Sequence, residues 1–167
     1  MIQLDHYSSK FKPQKFPITL VCDNVTNSAN IGSLFRIADA FGIEKLILCG
    51  EHIPLGRKMK KTSRATEKSV NYEIKKNALD VISELKSKDN FSIALELTEN
   101  SQTIHKLQLK LSKPITLVVG DENFGISEPV LKLCDLIIHI EMYGQNSSMN
   151  VVQATNIALY EITKQLM

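Results

Sequence analysis

The stretch from Ile115 to Gly125, which reads ITLVVGDENFG, joins a nearly continuous apolar run to a short polar loop. A run of this length without alternating polar residues is typical of a strand that is covered on both faces of a sheet. Four similar runs lie elsewhere in the chain, at Ile18–Cys22, Leu46–Cys49, Phe91–Leu95 and Leu136–Ile140. Helix-length segments separate the runs, and this alternation predicts an α/β fold with a mostly parallel sheet of five to six strands and helices on both faces.

Four helices are predicted in the segments between and after the runs. The first extends from about Asn30, a candidate N-cap, to Phe41 and ends at Gly42. At about 100° per residue, Arg36 points away from the apolar face of this helix. The other three helices are expected at about Ala78–Leu85, after Pro129, and from about Met149 to the C-terminus.

The composition is that of an ordinary globular chain. Its 167 residues are 43% hydrophobic and 23% charged, with a net charge of only +2, which predicts one domain over residues 1–167, with residues 1–15 as a loose basic arm. The N-terminus lacks a signal-peptide pattern, and no apolar run reaches the roughly 20 residues of a membrane span, so we expect a cytoplasmic protein. The three scattered cysteines, Cys22, Cys49 and Cys134, predict buried free thiols and no metal site.

Three polar loops follow predicted strands, where open α/β sheets place their ligands. They span residues 23–32, 120–125 and 141–150. The loop from Gly120 to Gly125 is not followed by Gly-Lys-Ser/Thr, so it is not a P-loop, and the chain contains no Gly-x-Gly-x-x-Gly. Taken alone, the second loop can be a simple turn, and the polar residues of the third can simply cap a helix.

Taken together and in order, the three loops resemble the SpoU (TrmH-like) class of SPOUT RNA methyltransferases. Asn30, Gly32 and Arg36 match the first motif of that class, and Leu117–Gly125 matches its strand followed by Gly-x-Glu-x-x-Gly. The third motif is matched at Ile140, Met142, Gly144, Ser148-Met149-Asn150-Val151 and Ala154, and Leu159-Tyr160-Glu161 fits the family's ending. The chain departs from the pattern at Glu141, where the family usually has proline.

The resemblance implies an S-adenosylmethionine-dependent RNA ribose 2'-O-methyltransferase with a deep C-terminal trefoil knot. The cofactor is then expected in the knot, held mainly by backbone groups. The residues expected to hold it are Leu95, Glu96, Leu97, Thr98, Gly120, Ile140, Met142, Ser148, Met149 and Asn150. The residues expected to act in catalysis or to orient the ribose are Arg36, Asn30, Glu122, Ser148 and Asn150.

Arg36 has two candidate roles under this resemblance. The family's motif-one arginine is often proposed as the base that deprotonates the ribose hydroxyl. A guanidinium keeps its proton to a pKa above about 12, which favours a phosphate clamp and alkoxide stabiliser instead. Each candidate also has a structural alternative. Arg36 can be an exposed helix arginine, Glu122 a solvated loop carboxylate, and Ser148 a helix cap.

A basic segment, residues 57–68, is the candidate RNA contact. It contains Arg57, Lys58, Lys60, Lys61, Arg64 and Lys68 against the one acidic Glu67; a solvated charged face is the alternative. Tyr72 lies nearby in the sequence. As a lone aromatic residue it is expected to pack against the protein, and stacking on an RNA base is the alternative. We expect no additional N-terminal RNA-binding domain, which favours tRNA over rRNA as substrate. The other functions considered are a catalytically silent RNA-binding SPOUT protein and a different small-molecule enzyme.

A homodimer with a shared active site is also expected. The final helix carries one apolar stripe at Val151, Ala154, Thr155, Ala158, Leu159, Ile162 and Leu166. Ile157 and Tyr160 lie on its opposite side, where a helix that closes a monomer has little reason to place them, although single exposed apolar residues are common. A two-fold dimer would use the same patch on both subunits and would bring Arg36 of one subunit to the cofactor site of the other.

Overall fold

The computed structural model describes residues 11–110 and 112–167. Its seven strands are β1 (Phe16–Asp23), β2 (Ile43–Cys49), β3 (Tyr72–Lys75), β4 (Phe91–Leu95), β5 (Gln102–Thr103), β6 (Ile115–Gly120) and β7 (Leu136–His139). Its five α-helices are α1 (Ser28–Ala40), α2 (Arg57–Ser63), α3 (Ala78–Ser87), α4 (Glu128–Leu133) and α5 (Val151–Leu166). Short 3-10 helices cover Thr66–Lys68 and Ile104–Lys106.

The seven strands form one sheet in the order β3-β2-β1-β6-β4-β7-β5, and every neighbouring pair is parallel. All five predicted strands are present, but the predicted count of five to six is wrong. The two strands that the apolar runs did not indicate are β3 and β5, which lie at the two edges of the sheet. The side chains of an edge strand need not be apolar on both faces, and β5 is only two residues long.

Helices cover both faces of the sheet, as predicted. The larger cluster of buried side chains joins α1, α2 and α5 to the sheet, with Phe35, Met59 and Leu159 among its members. The smaller cluster joins α3 and α4 to the other face through Val81, Ile82 and Val130. Along β6, Leu117 and Val119 belong to the first cluster and Val118 to the second. The strand is apolar on both sides because helices cover it on both sides.

The start of α1 differs from the prediction by two residues, and the difference matters for the site. Asn27, not Asn30, is the N-cap, and its side-chain oxygen accepts hydrogen bonds from the backbone N–H groups of Ala29 at 2.9 Å and Asn30 at 3.3 Å. Asn30 therefore lies within the first turn, and its amide is not used as a cap. Gly42 follows the helix with φ 56°, a left-handed conformation that glycine adopts without strain.

The remaining helices begin close to the predicted positions. Asn77 caps α3, and α4 begins at Glu128, one residue before Pro129. Asn150 caps α5, which is predicted from about Met149 and begins at Val151. All three cysteines are free thiols, and Cys22 and Cys49 are buried as expected, whereas Cys134 is only half-buried. Burial in the apolar core raises the pKa of Cys49 to about 12.

Most of the predicted N-terminal arm lies outside the described residues. Within the described ranges, no helix is both long enough and apolar enough to cross a bilayer. Residues 11–110 and 112–167 also bring together no group of three or more metal-ligating side chains.

Candidate active site

The three polar loops meet at the carboxyl edge of the sheet, together with the segment that follows β4. Since all strands are parallel, β1, β4, β6 and β7 end at the same edge. A cavity of about 490 Å³ opens there. Its walls come from residues 95–98, 120–126, 139–140, 142 and 147–149, with Leu131 of α4 and Val151 and Ala154 of α5 on the remaining sides. The volume lies within the range of small-molecule sites, about 300–1,000 Å³.

Nine of the ten residues expected to hold a cofactor line this cavity. They are Leu95, Glu96, Leu97, Thr98, Gly120, Ile140, Met142, Ser148 and Met149. The exception is Asn150, whose side-chain oxygen accepts a hydrogen bond from Val152 N–H at 2.9 Å and so caps α5. The cap of α5 is therefore Asn150, while Ser148 lies in the cavity wall.

A hydrogen-bond network links the three loops at this edge. The side-chain amide of Asn150 donates to Oδ1 of Asn30 at 3.2 Å. The amide nitrogen of Asn30 in turn donates to Oε1 of Glu122. Asn30 thus accepts from one loop and donates to another, which fixes the orientation of its amide. Glu122 also lines the cavity, so the network reaches the wall of the site.

The loop after β6 is a tight turn that leaves no room for side chains at its glycines. Gly125 has φ 66°, and its N–H donates to the carbonyl of Asp121 at 2.8 Å. The carboxylate of Asp121 accepts from the N–H groups of Asn123 at 2.8 Å and Phe124 at 3.3 Å. A Cβ on Gly120 would clash with the backbone of Gly125. The turn is therefore set by backbone geometry and one carboxylate.

Two carboxylates from the strands beside β6 hold the far end of this loop. Asp23, at the end of β1, is 3% exposed, and its Oδ2 accepts from Ser127 N–H at 3.0 Å and Ser127 Oγ–H at 2.8 Å. Oε2 of Glu96, just beyond β4, accepts from Ile126 N–H at 3.1 Å. Hydrogen bonds to a charged acceptor are stronger than those between neutral groups. Glu96 thus lines the cavity and also positions its wall.

Sequence reasoning did not single out Asp23 and Ser127. The signal that could have found Asp23 is its position, because a carboxylate that directly ends a buried parallel strand needs partners inside the protein. Ser127 carries no comparable signal. Ten further residues line the cavity, and seven of them lie in the predicted loops or the matched motifs: Asp121, Asn123, Phe124, Gly125, Ser147, Val151 and Ala154. Nothing in the sequence indicated the other three, Ile126, Leu131 and His139.

One polar group in the cavity wall has an unused hydrogen-bonding capacity. The Oγ1 atom of Thr98 is buried and has no hydrogen-bond partner among the described residues. Its backbone is held by Ser101, whose hydroxyl accepts from Thr98 N–H at 3.0 Å and contacts Nδ1 of His139 at 2.9 Å. A buried hydroxyl without a partner is costly, so this atom is suited to meet a polar group of a ligand.

Arg36 lies apart from this cavity within its own subunit. It lines a second cavity, an open groove of about 380 Å³ between α1 and α5, with Ser33, Ile37, Ala40, Val152, Gln153 and Asn156. The α1–α5 groove lies beside two exposed apolar residues of α5, Ile157 at 40% and Tyr160 at 62% exposure. The structure thus brings Asn30, Glu122 and Asn150 together but leaves Arg36 on a different surface.

The basic segment, residues 57–68, forms α2, a left-handed connection and a 3-10 helix. All six of its basic side chains are exposed, whereas Met59 and Ser63 are buried. Gly32 allows α2 to pack closely on α1, since a Cβ there would lie 2.5 Å from the carbonyl oxygen of Met59. In the described parts of the chain, seven lysines form salt bridges, but none of the six basic residues of this segment does. Tyr72, nearby, packs edge-to-face on Phe35 with ring centroids 4.9 Å apart.

A family model described as the SpoU rRNA Methylase family matches residues 17–160, nearly the whole of this fold. The chain belongs to the SpoU methylase family. The resemblance inferred from the three motifs is therefore confirmed, and the network of Asn30, Glu122 and Asn150 joins residues of all three.

Relatives of this SpoU-family chain include methyltransferases whose names specify rRNA and others whose names specify tRNA. The 23S rRNA (guanosine-2'-O-)-methyltransferase RlmB of Haemophilus influenzae is 32% identical over 155 residues, covering 89% of this chain and 60% of that protein. The tRNA (guanosine(18)-2'-O)-methyltransferase of Aquifex aeolicus is 33% identical over 151 residues, covering 89% of this chain and 69% of that protein. The chain thus spans 60% and 69% of the lengths of these two relatives.

A solved structure shows the same fold. The crystal structure of an AdoMet-bound rRNA methyltransferase from Sinorhizobium meliloti matches with a TM-score of 0.84 at 25% identity. The match covers 94% of this chain and 59% of that chain.

Proposed function

We propose that this chain, as one SPOUT domain over residues 1–167, methylates a ribose 2'-hydroxyl in structured RNA with S-adenosylmethionine as the methyl donor. The observation that carries the proposal is the network in which Asn150 donates to Asn30 and Asn30 to Glu122, at the wall of the 490 Å³ cavity. It joins one polar residue from each of three loops at the edge of a parallel sheet where ligands bind.

The residues of the cavity fit a cofactor of this kind. Leu95, Ile140 and Met142 give apolar walls for an adenine ring. The unpartnered Oγ1 of Thr98 offers a hydrogen bond to a polar group of the ligand. The wall bears few charged side chains, which suits recognition by backbone N–H and C=O groups. When bound, S-adenosylmethionine supplies a methyl group on a positively charged sulfur.

The side chains around the cavity position the ribose in this proposal. Asn30 is held from both sides, by Asn150 and Glu122, so its amide is oriented before RNA binds. A fixed amide lowers the cost of aligning a hydroxyl for in-line attack. Ser148 lies in the same wall and offers a hydroxyl to the nucleotide.

Arg36 acts in this proposal as a clamp on an RNA phosphate and stabilises the developing alkoxide. A guanidinium offers a fork of N–H donors that matches a phosphate, which favours this role over that of a general base. Because Arg36 lines the α1–α5 groove and not the cavity of its own subunit, the proposal requires a second subunit to bring it to the reacting ribose.

The proposed assembly is a homodimer that pairs through the α1–α5 groove. Its support is the placement of exposed Ile157 and Tyr160 beside that groove. A two-fold arrangement would bury the same patch on both subunits and would carry Arg36 of each towards the cavity of the other.

A trefoil knot around the cofactor cavity is part of the same proposal. Its support is the path of the chain after β6, which passes β4 to form β7 and then returns as α5 across β4 and β6. The loop of residues 140–150, which joins β7 to α5, provides one wall of the cavity. Such a path is rare among folds.

The proposed substrate is tRNA, as for the Aquifex relative. The second candidate is rRNA, which the Haemophilus relative favours to a similar degree. The basic segment, residues 57–68, is the proposed contact with the RNA backbone, because its six exposed basic side chains are left without salt bridges among the described residues.

Two measurements test the proposal. Calorimetric titration with S-adenosylhomocysteine should show one binding site per subunit, and absence of binding at millimolar ligand would overturn it. Nucleoside mass spectrometry of tRNA and rRNA, from cells with and without the gene, should show the loss of one 2'-O-methylated nucleotide. Cofactor binding without any such loss would favour the catalytically silent RNA-binding alternative.

A further inference from the structure

The loop between Gly120 and Gly125 displays a phenylalanine almost entirely in solvent. Phe124 is 90% exposed and yet lines the 490 Å³ cavity. A side chain with both properties lies at the opening of the cavity. An exposed phenylalanine forfeits the free energy that its burial would contribute, so a partner outside the subunit's own core is expected.

The loop holds Phe124 in this position. The backbone N–H of Phe124 donates to the carboxylate of Asp121, and the N–H of the following Gly125 donates to the backbone carbonyl of Asp121. Beyond Gly125, Glu96 holds Ile126, and Asp23 holds Ser127. A backbone fixed on both sides keeps the ring at the opening, where a ligand meets it without first having to order the loop.

Phe124 is also two residues from Glu122, which is bonded to Asn30 in the proposed ribose-positioning network. Because Glu122 and Phe124 line the same cavity, a nucleotide that presents its ribose to this network comes close to the ring of Phe124. A nucleobase is a flat aromatic surface, and proteins commonly hold unpaired RNA bases by stacking them on such rings.

We propose that Phe124 is a specificity-determining residue that stacks on a nucleobase of the RNA at, or next to, the methylated nucleotide. The inference rests on the proposed function and adds to it the means by which the base is held. Leu97, 57% exposed in the segment after β4, supplies a further apolar surface on the same cavity. Tyr143, 83% exposed, lies in the loop after β7 that also bears Met142 of the cavity wall.

The experiment compares three substitutions of Phe124 with a matched control. Phe124→Leu removes the aromatic ring but keeps an apolar side chain, Phe124→Trp keeps a stacking surface, and Phe124→Ala removes both. Phe11→Leu is the control, since Phe11 is 91% exposed and does not line the cavity. The substrates are the tRNA and rRNA pools from cells that lack the gene, with radiolabelled S-adenosylmethionine as donor.

We expect the KM for RNA to rise about tenfold in Phe124→Leu and Phe124→Ala, because the loss of stacking on one base usually weakens binding by roughly five- to 150-fold. The KM for RNA of Phe124→Trp and of Phe11→Leu should stay close to that of the wild-type protein. The affinity for S-adenosylhomocysteine, measured by calorimetry, should stay within about twofold in all four variants because the side chain of Phe124 is 90% exposed and that of Phe11 is 91% exposed.

Three outcomes would overturn the stacking role. The first is a KM for RNA in Phe124→Leu equal to that of the wild-type protein, when the wild-type protein itself methylates RNA. The proposed function would then stand without the stacking role. The second is a weaker affinity of Phe124→Ala for S-adenosylhomocysteine with no change in the KM for RNA, which would make the ring part of the cofactor site. The third is a lower sedimentation mass for Phe124→Ala, which would mean that a second subunit covers the ring. If the unchanged protein transfers no methyl group to either pool, the proposed function and this inference both fail.

Discussion

The cavity at the strand ends and the α1–α5 groove differ in how far one subunit completes them. The cavity is lined by several segments of the same chain, and its wall is fixed by Asp23, Glu96 and the network around Asn30. The groove is open, and Arg36 lines it beside exposed apolar side chains. The cavity walls are therefore complete within one subunit, whereas the surface that bears Arg36 would be completed by a partner in the proposed homodimer.

The largest expected effect comes from separating these two surfaces in mixed dimers. Arg36→Ala damages the groove and Asn150→Ala the cavity, and each homodimer should lose about two to three orders of magnitude in kcat. When equal amounts of the two variants exchange subunits, half of the dimers contain one subunit of each variant, and one of the two sites in such a dimer is intact. About one quarter of the wild-type activity should therefore return. Methylation rate and native mass spectrometry of the mixture measure this.

A mixture that exchanges its subunits but recovers no activity would contradict the shared site. Arg36 would then act within its own subunit, and the difference between the two surfaces would have no functional meaning.

The next largest effect tests whether Glu122 acts through Asn30. Glu122→Ala removes the acceptor of the Asn30 amide and should lower kcat/KM about a hundredfold. Glu122→Gln keeps a side-chain oxygen in the same place and should stay within about fivefold. Steady-state methylation kinetics separate the two. If Gln is as inactive as Ala, the carboxylate charge itself is needed and the positioning role is wrong.

A smaller effect is expected at the buried carboxylate that holds the cavity wall. Asp23→Asn should lower the free energy of unfolding by about 1.5–3 kcal/mol, the usual worth of hydrogen bonds to a charged group. The control is Asp89→Asn, which removes a carboxylate that pairs with Lys113 on the surface and should cost at most about 1 kcal/mol. Urea unfolding at pH 7 measures both. Equal losses would mean that Asp23 contributes no more than a surface ion pair.

The smallest effect is expected on the salt dependence of RNA binding. The triple change Lys60→Ala, Lys61→Ala and Arg64→Ala should flatten the slope of log affinity against log salt by about 2 to 3, roughly one for each phosphate that the variant no longer neutralises. The control is a triple alanine change at Lys88, Lys113 and Lys132, three exposed lysines that form ion pairs away from the basic segment. Filter binding of tRNA between about 50 and 200 mM salt gives the slopes. An equal flattening in both variants would make the basic segment only a solvated face.

The sequence predicted those parts of the molecule that depend on local pattern. The buried strands were found because their apolar runs are continuous, and the three loops because polar residues follow those runs. It missed β3, in which every residue is at least partly exposed, because the side chains of this edge strand carry no continuous apolar signal.

The contacts within the site could not be predicted in the same way. Asn27 and Asn30 are equally good caps by residue type, and only the backbone path decides that Asn27 caps α1 and that Asn30 turns to Glu122 and Asn150. The bond from Ser127 to Asp23 likewise joins residues 104 positions apart. Such pairs depend on tertiary placement, which no local periodicity records.

The position of β1 in the sheet has a consequence for the synthesis of the protein. Its two neighbours are β2, which follows soon after it, and β6, whose Ile115 pairs with Ile18. A ribosome adds roughly 5–20 residues per second, so one edge of β1 stays unpaired for about 5 to 20 seconds on the nascent chain. During that interval an apolar strand with open backbone hydrogen-bonding groups is exposed to other chains. The protein is thus expected to depend on chaperones most strongly before residue 120 has left the ribosome.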